Sequence, residues 1–248
     1  MEQAIKAVVL AAGQGKRLGS EAVGIPKVMR LAADKPLLGH VLENLAFIPA
    51  RDTILVVGFK KEQVTEAYPA YPWVEQAERL GTGHAVAMAR PLLEAYEGAV
   101  LVCCGDMPLL RRETYEALCR EHFASGAACT ILTGVYEEKK SYGRILRDGE
   151  GRFLRIVEQK DCTPEEDAIR EYNSGVYVFS CPALLESLGR LKSENAQHEY
   201  YLTDAPALIH EAGGQIALCR RELGNELLGV NTQQELEEID RLLREQKA

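Results

Sequence analysis

The feature that most constrains the fold is an alternation along the first half of the chain. Short runs of β-branched and other apolar residues are separated by longer segments whose apolar residues recur at helical spacing. Such a pattern is typical of βα units around a parallel sheet. The predicted strands are Ala7–Ala12, Thr53–Phe59, Val74–Ala77 and Ala99–Cys104, and the predicted helices are Leu37–Phe47, Lys61–Tyr68 and Thr82–Tyr96. The sequence therefore predicts an α/β fold.

The second half of the chain has a different pattern of predicted elements. Two extended segments, Tyr142–Leu146 and Phe153–Glu158, flank a turn-rich Asp148-Gly149-Glu150-Gly151 and predict an antiparallel hairpin. The other elements predicted here are the helices Glu113–Ser125, Ala183–Leu191 and Thr203–Ala212, the strands Cys129–Val135, Ser174–Phe179 and Gln215–Cys219, and a last helix opened by the capping-box spacing of Thr232 and Glu235. Without repeats or a linker, we expect one domain over residues 1–248.

Charge and cysteine usage exclude several classes of protein. A net charge of −8 argues against a general binder of nucleic acid or of anionic membranes, because both need broad basic surfaces. No apolar stretch approaches the ~18 residues of a transmembrane helix. The seven cysteines contain no C-x-x-C pair, so we expect reduced, packed thiols and a cytoplasmic protein.

A Gly-rich loop, Gly13 to Gly19, follows the first predicted strand. Its glycines would let backbone N–H groups approach a phosphate closely. The spacing fits neither the dinucleotide fingerprint nor the P-loop. Lys16, Arg17 and Lys27 lie in or near this loop in an otherwise acidic chain, which favours a phosphate site. A solvated basic patch is the alternative.

Three polar residues occupy positions where ligands bind in parallel sheets. Asp106 follows the strand Ala99–Cys104, at the edge where such sheets bind ligands, and its carboxylate can hold a hard divalent cation. Asn231 precedes the last helix, and Gln76 follows another strand with an amide that can read a base edge. A turn residue, a helix cap and an ordinary loop residue are the alternative interpretations. His84 has no nucleophile pattern beside it, which favours a structural role.

Several motifs recur in an order that resembles sugar-nucleotide pyrophosphorylases. They are Leu10-Ala11-Ala12-Gly13 with Gly15, Arg17 and Pro26-Lys27-Val28, then Gln76-Ala77-Glu78 with Leu80-Gly81-Thr82-Gly83-His84-Ala85, Gly105-Asp106 with Pro108-Leu109, Tyr142-Gly143-Arg144-Ile145, Val157-Glu158 with Lys160-Asp161, Asn173-Ser174-Gly175, Asn195-Ala196-Gln197 with Glu199 to Asp204, and Gly229-Val230-Asn231. Together they resemble the uridyltransferase domain of bifunctional N-acetylglucosamine-1-phosphate uridyltransferases, over residues 5 to about 240.

The resemblance implies a fold, a reaction and a set of site residues. The fold would be a Rossmann-like, mostly parallel sheet flanked by helices, with a small antiparallel insertion for the sugar. The reaction would transfer UMP from UTP to N-acetylglucosamine 1-phosphate with Mg²⁺, giving an amino-sugar cell-wall precursor. The implied roles are Arg17 and Lys27 in catalysis on the phosphates, Leu10, Ala11, Ala12, Gly13, Gln76, Gly81 and Thr82 on the nucleotide, Gly143, Glu158 and Asn173 on the sugar, and Asp106 and Asn231 on the metal.

Two departures from that family and two rival functions remain. The stretch Leu18 to Ile25 is longer than the family's usual connection, which leaves the shape of the triphosphate loop open. The sequence to Ala248 contains no hexapeptide-repeat β-helix, so we expect no acetyltransferase half and infer no oligomeric state. The rivals are the same reaction on another sugar or base, such as glucose 1-phosphate or dTTP, and a regulatory domain that binds a nucleotide sugar without turnover.

Overall fold

A computed structural model describes residues 4–246. It has a central nine-stranded sheet and a separate two-stranded sheet. The strands are β1 (Ile5–Ala11), β2 (Leu31–Ala32), β3 (Lys35–Pro36), β4 (Thr53–Val57), β5 (Trp73–Glu75), β6 (Ala99–Cys104), β7 (Cys129–Val135), β8 (Arg144–Arg147), β9 (Phe153–Val157), β10 (Glu171–Ser180) and β11 (Ile216–Arg221). The helices are α1 (Ser20–Val23), α2 (Leu37–Asn44), α3 (Lys61–Ala67), α4 (Thr82–Ala87), α5 (Arg90–Leu93), α6 (Arg112–Ser125), α7 (Pro164–Asp167), α8 (Cys181–Leu188), α9 (Ala205–Glu211) and α10 (Gln233–Glu245).

The central sheet is mostly parallel, which confirms the predicted fold class. Its main path runs β11-β7-β10-β6-β1-β4-β5. Strands β6, β1, β4 and β5 run parallel to one another, and β11 is parallel to β7. Strand β10 is antiparallel to both its neighbours, β6 and β7. The parallel half carries the strand ends at which ligands bind in open α/β sheets.

Helices cover both faces of the sheet. Because successive side chains of a strand point to opposite faces, Ala7 and Val9 of β1 enter one hydrophobic cluster while Val8 enters another. The first cluster includes Leu38 from α2, and the second includes Val86 from α4. The apolar runs read as strands are thus buried on both sides, as parallel strands between helical layers must be.

The predicted hairpin is confirmed, and it joins the main sheet. Strands β8 and β9 pair antiparallel around residues 148–151, and β8 pairs with β10 through Arg144 and Tyr172. The small sheet β2–β3 is a second hairpin that the sequence did not predict. Its turn residues Ala33 and Asp34 both have positive φ, 46° and 65°. No described helix is long and apolar enough to cross a membrane.

The prediction of one continuous helix over Thr82–Tyr96 was wrong. The segment forms two short helices, α4 and α5, that meet near Met88 and Ala89. Pro91 accounts for the break, because proline has no N–H to donate to the preceding turn and its ring crowds that turn's carbonyl. On the expected apolar face Ala89 and Leu93 are buried, whereas Leu92 is 40% exposed.

Candidate active site

The residues singled out from the sequence converge on the carboxyl ends of the parallel strands. Gly13 follows β1, Gln76 follows β5 and Asp106 follows β6. The N–H of Gly105 donates to the carbonyl of Leu10 at 2.9 Å, which joins the ends of β6 and β1. This placement agrees with the general location of ligand sites in open α/β sheets.

Asp106 and Asn231 meet at one cation, the ammonium of Lys27. The Lys27 Nζ donates to Asn231 Oδ1 at 2.9 Å and forms an ion pair with Asp106 Oδ2. The Lys27 and Asp106 side chains are 13% and 19% exposed, so the cluster is shielded from water but still open on one side. Residues distant in sequence thus form a single charged cluster.

The position of Asn231 is fixed by its neighbours. The N–H of Val230 donates to the carbonyl of Asp106 at 3.1 Å, which brings the two segments together. The carboxylate of Glu235 accepts from the N–H of Asn231 at 2.7 Å and from the N–H of Thr232 at 2.8 Å. The predicted capping box at Thr232 and Glu235 is confirmed at the start of α10. The cap therefore also holds Asn231 beside Asp106.

This oxygen pair fits a hard divalent ion. One carboxylate and one amide oxygen already approach the same positive charge, and both are ligands that such ions accept. Among residues 4–246 there is no group of three or more His, Cys, Asp or Glu that could hold a metal. The pair therefore suits an ion that completes its shell with water and with ligand phosphates, as Mg²⁺ does.

The Gly-rich loop turns sharply next to Lys27. Gly15 has φ 66°, and a Cβ there would lie 2.8 Å from Ser20 Oγ and 2.9 Å from Lys27 Cβ, so a larger residue would displace the loop. Lys16 and Arg17 lie in a one-turn helix, Lys16–Leu18, and both are exposed. Arg17 is not among the residues that line the cavities described below, and its catalytic role stays a prediction.

The longer connection after Arg17 forms a compact turn of helix, α1. Gly19 and Gly24 border it, both with left-handed backbone. Gln63 Nε2 donates to the carbonyl of Gly24 at 2.9 Å and ties this connection to α3. Val23 and Ile25 are 56% and 38% exposed, whereas Ser20 in the same stretch is buried.

A first cavity, of about 250 Å³, lies between the Gly-rich loop and α4. Most residues predicted to bind the nucleotide line it, together with Lys27 and Asp106. Its lining comprises Leu10, Ala12, Gly13, Lys27, Val28, Gln76, Arg79, Gly81, Thr82, Ala85, Cys104, Asp106 and Glu199. Ala11 differs from its predicted partners, because its side chain is buried in the core of the sheet.

Gln76 is buried with its amide held in one orientation. Its Nε2 donates to the carbonyl of Gly81 at 3.0 Å and lies 3.2 Å from Nδ1 of His84. Both amide hydrogens are thereby engaged, which leaves the Oε1 acceptor for a ligand. His84 thus has the structural role that the sequence favoured.

Gly81 adopts a conformation that suits glycine. Its φ is 110°, and a Cβ there would lie 2.6 Å from the backbone oxygen of Tyr200. The neighbouring Gly83 donates its N–H to that same oxygen at 2.7 Å. Thr82 accepts from the N–H of Leu202 at 3.0 Å, so the segment around Tyr200 covers the start of α4.

A second cavity, of about 210 Å³, brings together the three residues predicted to bind the sugar, Gly143, Glu158 and Asn173. It shares Leu10, Thr82, Cys104 and Asp106 with the first cavity, so the two are adjacent. Its full lining is Leu10, Thr82, Cys104, Asp106, Met107, Ser141, Tyr142, Gly143, Glu158, Asn173, Ser174, Gly175, Tyr177, Leu202, Thr203, Leu227, Gly229 and Asn231.

Polar groups in the second cavity are oriented by neighbours. Burial raises the pKa of the Glu158 carboxyl, although its hydrogen bond from Thr203 Oγ1, at 3.0 Å, opposes the shift. Asn173 Nδ2 donates to the Tyr177 hydroxyl at 2.7 Å, and its Oδ1 accepts from the N–H of Gly175 at 3.2 Å. The cavity is therefore lined by fixed acceptors and donors suited to a polyhydroxylated ligand.

Sequence reasoning missed Cys104, Tyr177 and Thr203 as lining residues. Cys104 immediately precedes Gly105-Asp106, so its place at the strand end was a usable signal. Tyr177 lies past an irregularity in the pairing of β10 between Asn173 and Tyr177, which the sequence did not indicate. Burial raises the pKa of the Cys104 thiol to about 12, so this side chain is a neutral part of the wall.

Comparison with known proteins agrees with this geometry. The profile of the MobA-like NTP transferase domain matches residues 7–247. The chain belongs to this family. Nucleotidyltransferases of this family generally use divalent metal ions. The Asp106 and Asn231 oxygens that contact Lys27 are of the kind that such ions accept.

Curated relatives of this nucleotidyltransferase domain are named bifunctional protein GlmU. It is 42% identical over 243 residues to that of Pelobacter propionicus, 44% identical over 243 residues to that of Trichlorobacter lovleyi and 40% identical over 240 residues to that of Geobacillus thermodenitrificans. The matches cover 97%, 96% and 96% of this chain. They cover 52% of each relative, so the chain spans about half the length of these proteins.

Proposed function

We propose that this domain transfers UMP from UTP to N-acetylglucosamine 1-phosphate, forming UDP-N-acetylglucosamine and pyrophosphate. The observation that carries the proposal is the adjacency of the two cavities, which share Asp106 just after the end of β6. A nucleotide in the first cavity and a sugar phosphate in the second would have their phosphates adjacent. The phosphates would then face Lys27 and the oxygens of Asp106 and Asn231.

The chemistry is a single in-line displacement. A phosphate oxygen of the sugar 1-phosphate attacks the α-phosphorus of UTP, a new P–O bond forms, and the bond to the β-phosphate oxygen breaks to release pyrophosphate. The attacking oxygen is already ionised, so no general base is required. Catalysis then rests on positioning and on neutralising negative charge, to which Lys27 and the N–H groups of the Gly-rich loop contribute.

Mg²⁺ is the divalent ion that this donor set favours. Asp106 and Asn231 would hold it, and it would supply neutralisation of phosphate charge at the site of displacement. The Lys27 ammonium contacts the same two oxygens. When these oxygens bind the metal ion instead, the ammonium would be free to contact a phosphate. Arg17, exposed in the loop, would reach the triphosphate from solvent.

Uracil is the base that the orientation of Gln76 favours. With its Nε2 engaged by Gly81 and His84, the free Oε1 can accept from the N3–H of uracil. Cytosine presents an acceptor at the same ring position, and two acceptors facing each other would be left unpaired, which costs about 1–3 kcal/mol. Thymine shares the donor, so dTTP is the rival nucleotide to compare.

An N-acetylhexosamine is the sugar that the second cavity favours. Glu158 can accept from sugar hydroxyls, while Asn173 presents an amide fixed by Tyr177 and Gly175. Gly143 packs closely against Ile156, since a Cβ there would lie 2.9 Å from Ile156 Cγ2. Glucose 1-phosphate, which lacks the acetamido group, is the rival acceptor.

The test is pyrophosphate release from a panel of substrates. Purified protein with Mg²⁺ is offered UTP, dTTP or CTP, each with N-acetylglucosamine 1-phosphate or glucose 1-phosphate. We expect the highest kcat/KM for UTP with the amino sugar. A higher value for another pair would reassign the specificity, and nucleotide binding without release under any pair would favour the regulatory alternative.

The Asp106→Asn variant tests the metal assignment. It keeps the shape of the side chain but lowers the charge facing the cation, so we expect kcat to fall by about 100-fold or more. Thermal unfolding of the variant serves as the control for folding. Full activity of a folded Asp106→Asn protein, supported by an unchanged Mg²⁺ dependence, would contradict the role of Asp106.

A further inference from the structure

Arg79 is an exposed residue in the lining of the first cavity. It belongs to the segment between β5 and α4 and lines the cavity beside Gln76 and Gly81. Its guanidinium Nη1 donates to the side-chain oxygen of Gln14 in the Gly-rich loop. The side chain therefore joins the segment that would hold the base to the loop that would hold the triphosphate.

The charge of Arg79 is not neutralised by this contact. Lys27, the other lysine or arginine in the cavity lining, is paired with the carboxylate of Asp106. Arg79 instead contacts a neutral amide, and within residues 4–246 it forms no ion pair with a carboxylate. A guanidinium has five N–H donors in a planar fork that matches a phosphate, and one of them is used here.

We propose that Arg79 is a further nucleotide-binding residue, whose guanidinium directly contacts the phosphate chain of the bound nucleotide beyond its α-phosphate. Its hydrogen bond to Gln14 holds the side chain over the cavity before the ligand arrives. Because the partner is neutral, exchanging it for a phosphate requires no ion pair to be broken. The inference rests on the proposed function only in taking the ligand to be a nucleoside triphosphate.

The test compares Arg79→Gln with the unchanged protein in calorimetric titrations with UTP, UDP and UMP in the presence of Mg²⁺. Glutamine can keep a hydrogen bond to Gln14 while removing the charge. A charge-assisted phosphate contact predicts a Kd for UTP that rises about 10-fold, with a smaller rise for UDP and a change below about twofold for UMP. An equal loss for all three ligands would place Arg79 on the nucleoside or the α-phosphate, which UMP also has, and would overturn the proposal.

Two controls separate a direct contact from other effects. Gln14→Ala removes the neutral partner, and we expect it to change the Kd for UTP by less than about threefold. Losses of equal size in Gln14→Ala and Arg79→Gln would mean that Arg79 acts through the loop, which overturns the proposal. Arg241→Gln removes one exposed positive charge from α10, distant in sequence from the cavity lining, and should leave the Kd unchanged.

Failure of this inference is distinguishable from failure of the proposed function. If the unchanged protein binds UTP and Arg79→Gln binds it equally well, the role of Arg79 is excluded while the function stands. If the unchanged protein binds another triphosphate in preference, the same series is run with that nucleotide and its di- and monophosphate. Salt should raise the Kd for the nucleotide more steeply in the unchanged protein than in Arg79→Gln, because salt screens the contact between the guanidinium and the phosphate. This result would support the contact independently.

Discussion

At the scale of single residues, Lys27 connects two sets of residues that the sequence treated separately, those predicted to bind phosphate and those predicted to bind the metal. The resemblance placed Lys27 on the phosphates and assigned Asp106 and Asn231 to the metal. The structure joins all three, because the ammonium of Lys27 contacts an oxygen of each of the other two. A cation between these oxygens offsets the negative charge that Asp106 brings to the cavity. The assigned metal and phosphate groups thus form one electrostatic unit.

Glu158 provides a prediction about pH at the same scale. Burial raises its folded-state pKa, so protonation begins at a higher pH than for an exposed glutamate. As pH falls through that pKa, the carboxylate loses its acceptor character and the KM for the sugar phosphate should rise. In Glu158→Gln, we expect a KM about 10-fold higher near neutral pH and independent of this titration. Steady-state kinetics as a function of pH measures both effects.

The stability of the same variant has a definite sign. A buried carboxyl whose folded pKa is raised destabilises the folded state above that pKa, and the cost disappears as pH falls below it. Glutamine can still accept from Thr203 without carrying the charge. Glu158→Gln should therefore have a higher Tm than the unchanged protein near neutral pH, and the gap should close in acid. A lower Tm for the variant would contradict this account.

At the scale of secondary-structure elements, the best predictions are those with a local physical cause. The start of α10 follows from the capping box of Thr232 and Glu235, and the interval Cys129–Val135 is a strand as expected. The failed helix over Thr82–Tyr96 also has a local cause, Pro91, whose effect on the backbone outweighed an apolar spacing that looked continuous. The one-turn helix α1 lies in a stretch for which the sequence predicted no secondary structure.

Thr232→Ala tests the contribution of this cap. The threonine hydroxyl accepts from the N–H of Glu235 at 3.2 Å, and losing such a cap costs about 1 kcal/mol. We expect the free energy of unfolding, from urea denaturation, to fall by about that amount. Thr65→Ala is the comparison, because its exposed hydroxyl only donates to the carbonyl of Glu62 within α3. An equal loss in both variants would show that the cap has no special contribution.

At the scale of the whole molecule, the layered arrangement explains why the predicted ligand-binding residues can lie so far apart in sequence. Parallel strands β1, β4, β5 and β6 end at one edge, and each end supports a loop there. Strand β10 runs in the opposite direction and carries Asn173 towards the same edge from its beginning. The two cavities therefore lie along a single edge of the sheet.

The buried His122 links the core to the acid stability of the whole molecule. It is a buried residue of α6 with its Nδ1 3.0 Å from Thr130 Oγ1, and burial lowers its pKa to about 4. At pH values between 6.5, its ordinary pKa, and about 4, this histidine is protonated in the unfolded chain but mostly neutral in the folded chain. This residue should therefore reduce the free energy of unfolding by about 2 kcal/mol across that range as pH falls.

His122→Gln removes this proton linkage. The variant should lose less stability than the unchanged protein when urea denaturation is repeated from neutral pH down to about pH 4.5. At neutral pH, the difference in the free energy of unfolding between the two proteins measures the packing cost of the substitution. A smaller difference in acid measures the contribution of histidine protonation. Parallel curves for the two proteins would contradict the assigned cause.

The sequence by itself determined the α/β class, most strands, the hairpin β8–β9 and the cap of α10. These follow from periodicity, turn residues and capping, which act between residues close together in the chain. The motifs also pointed to most residues that line the two cavities. The contact of Lys27 with both Asp106 and Asn231, the antiparallel direction of β10 and the reach of Arg79 to Gln14 were decided by tertiary structure. Each depends on how distant segments pack around a shared core, and no local pattern encodes that geometry.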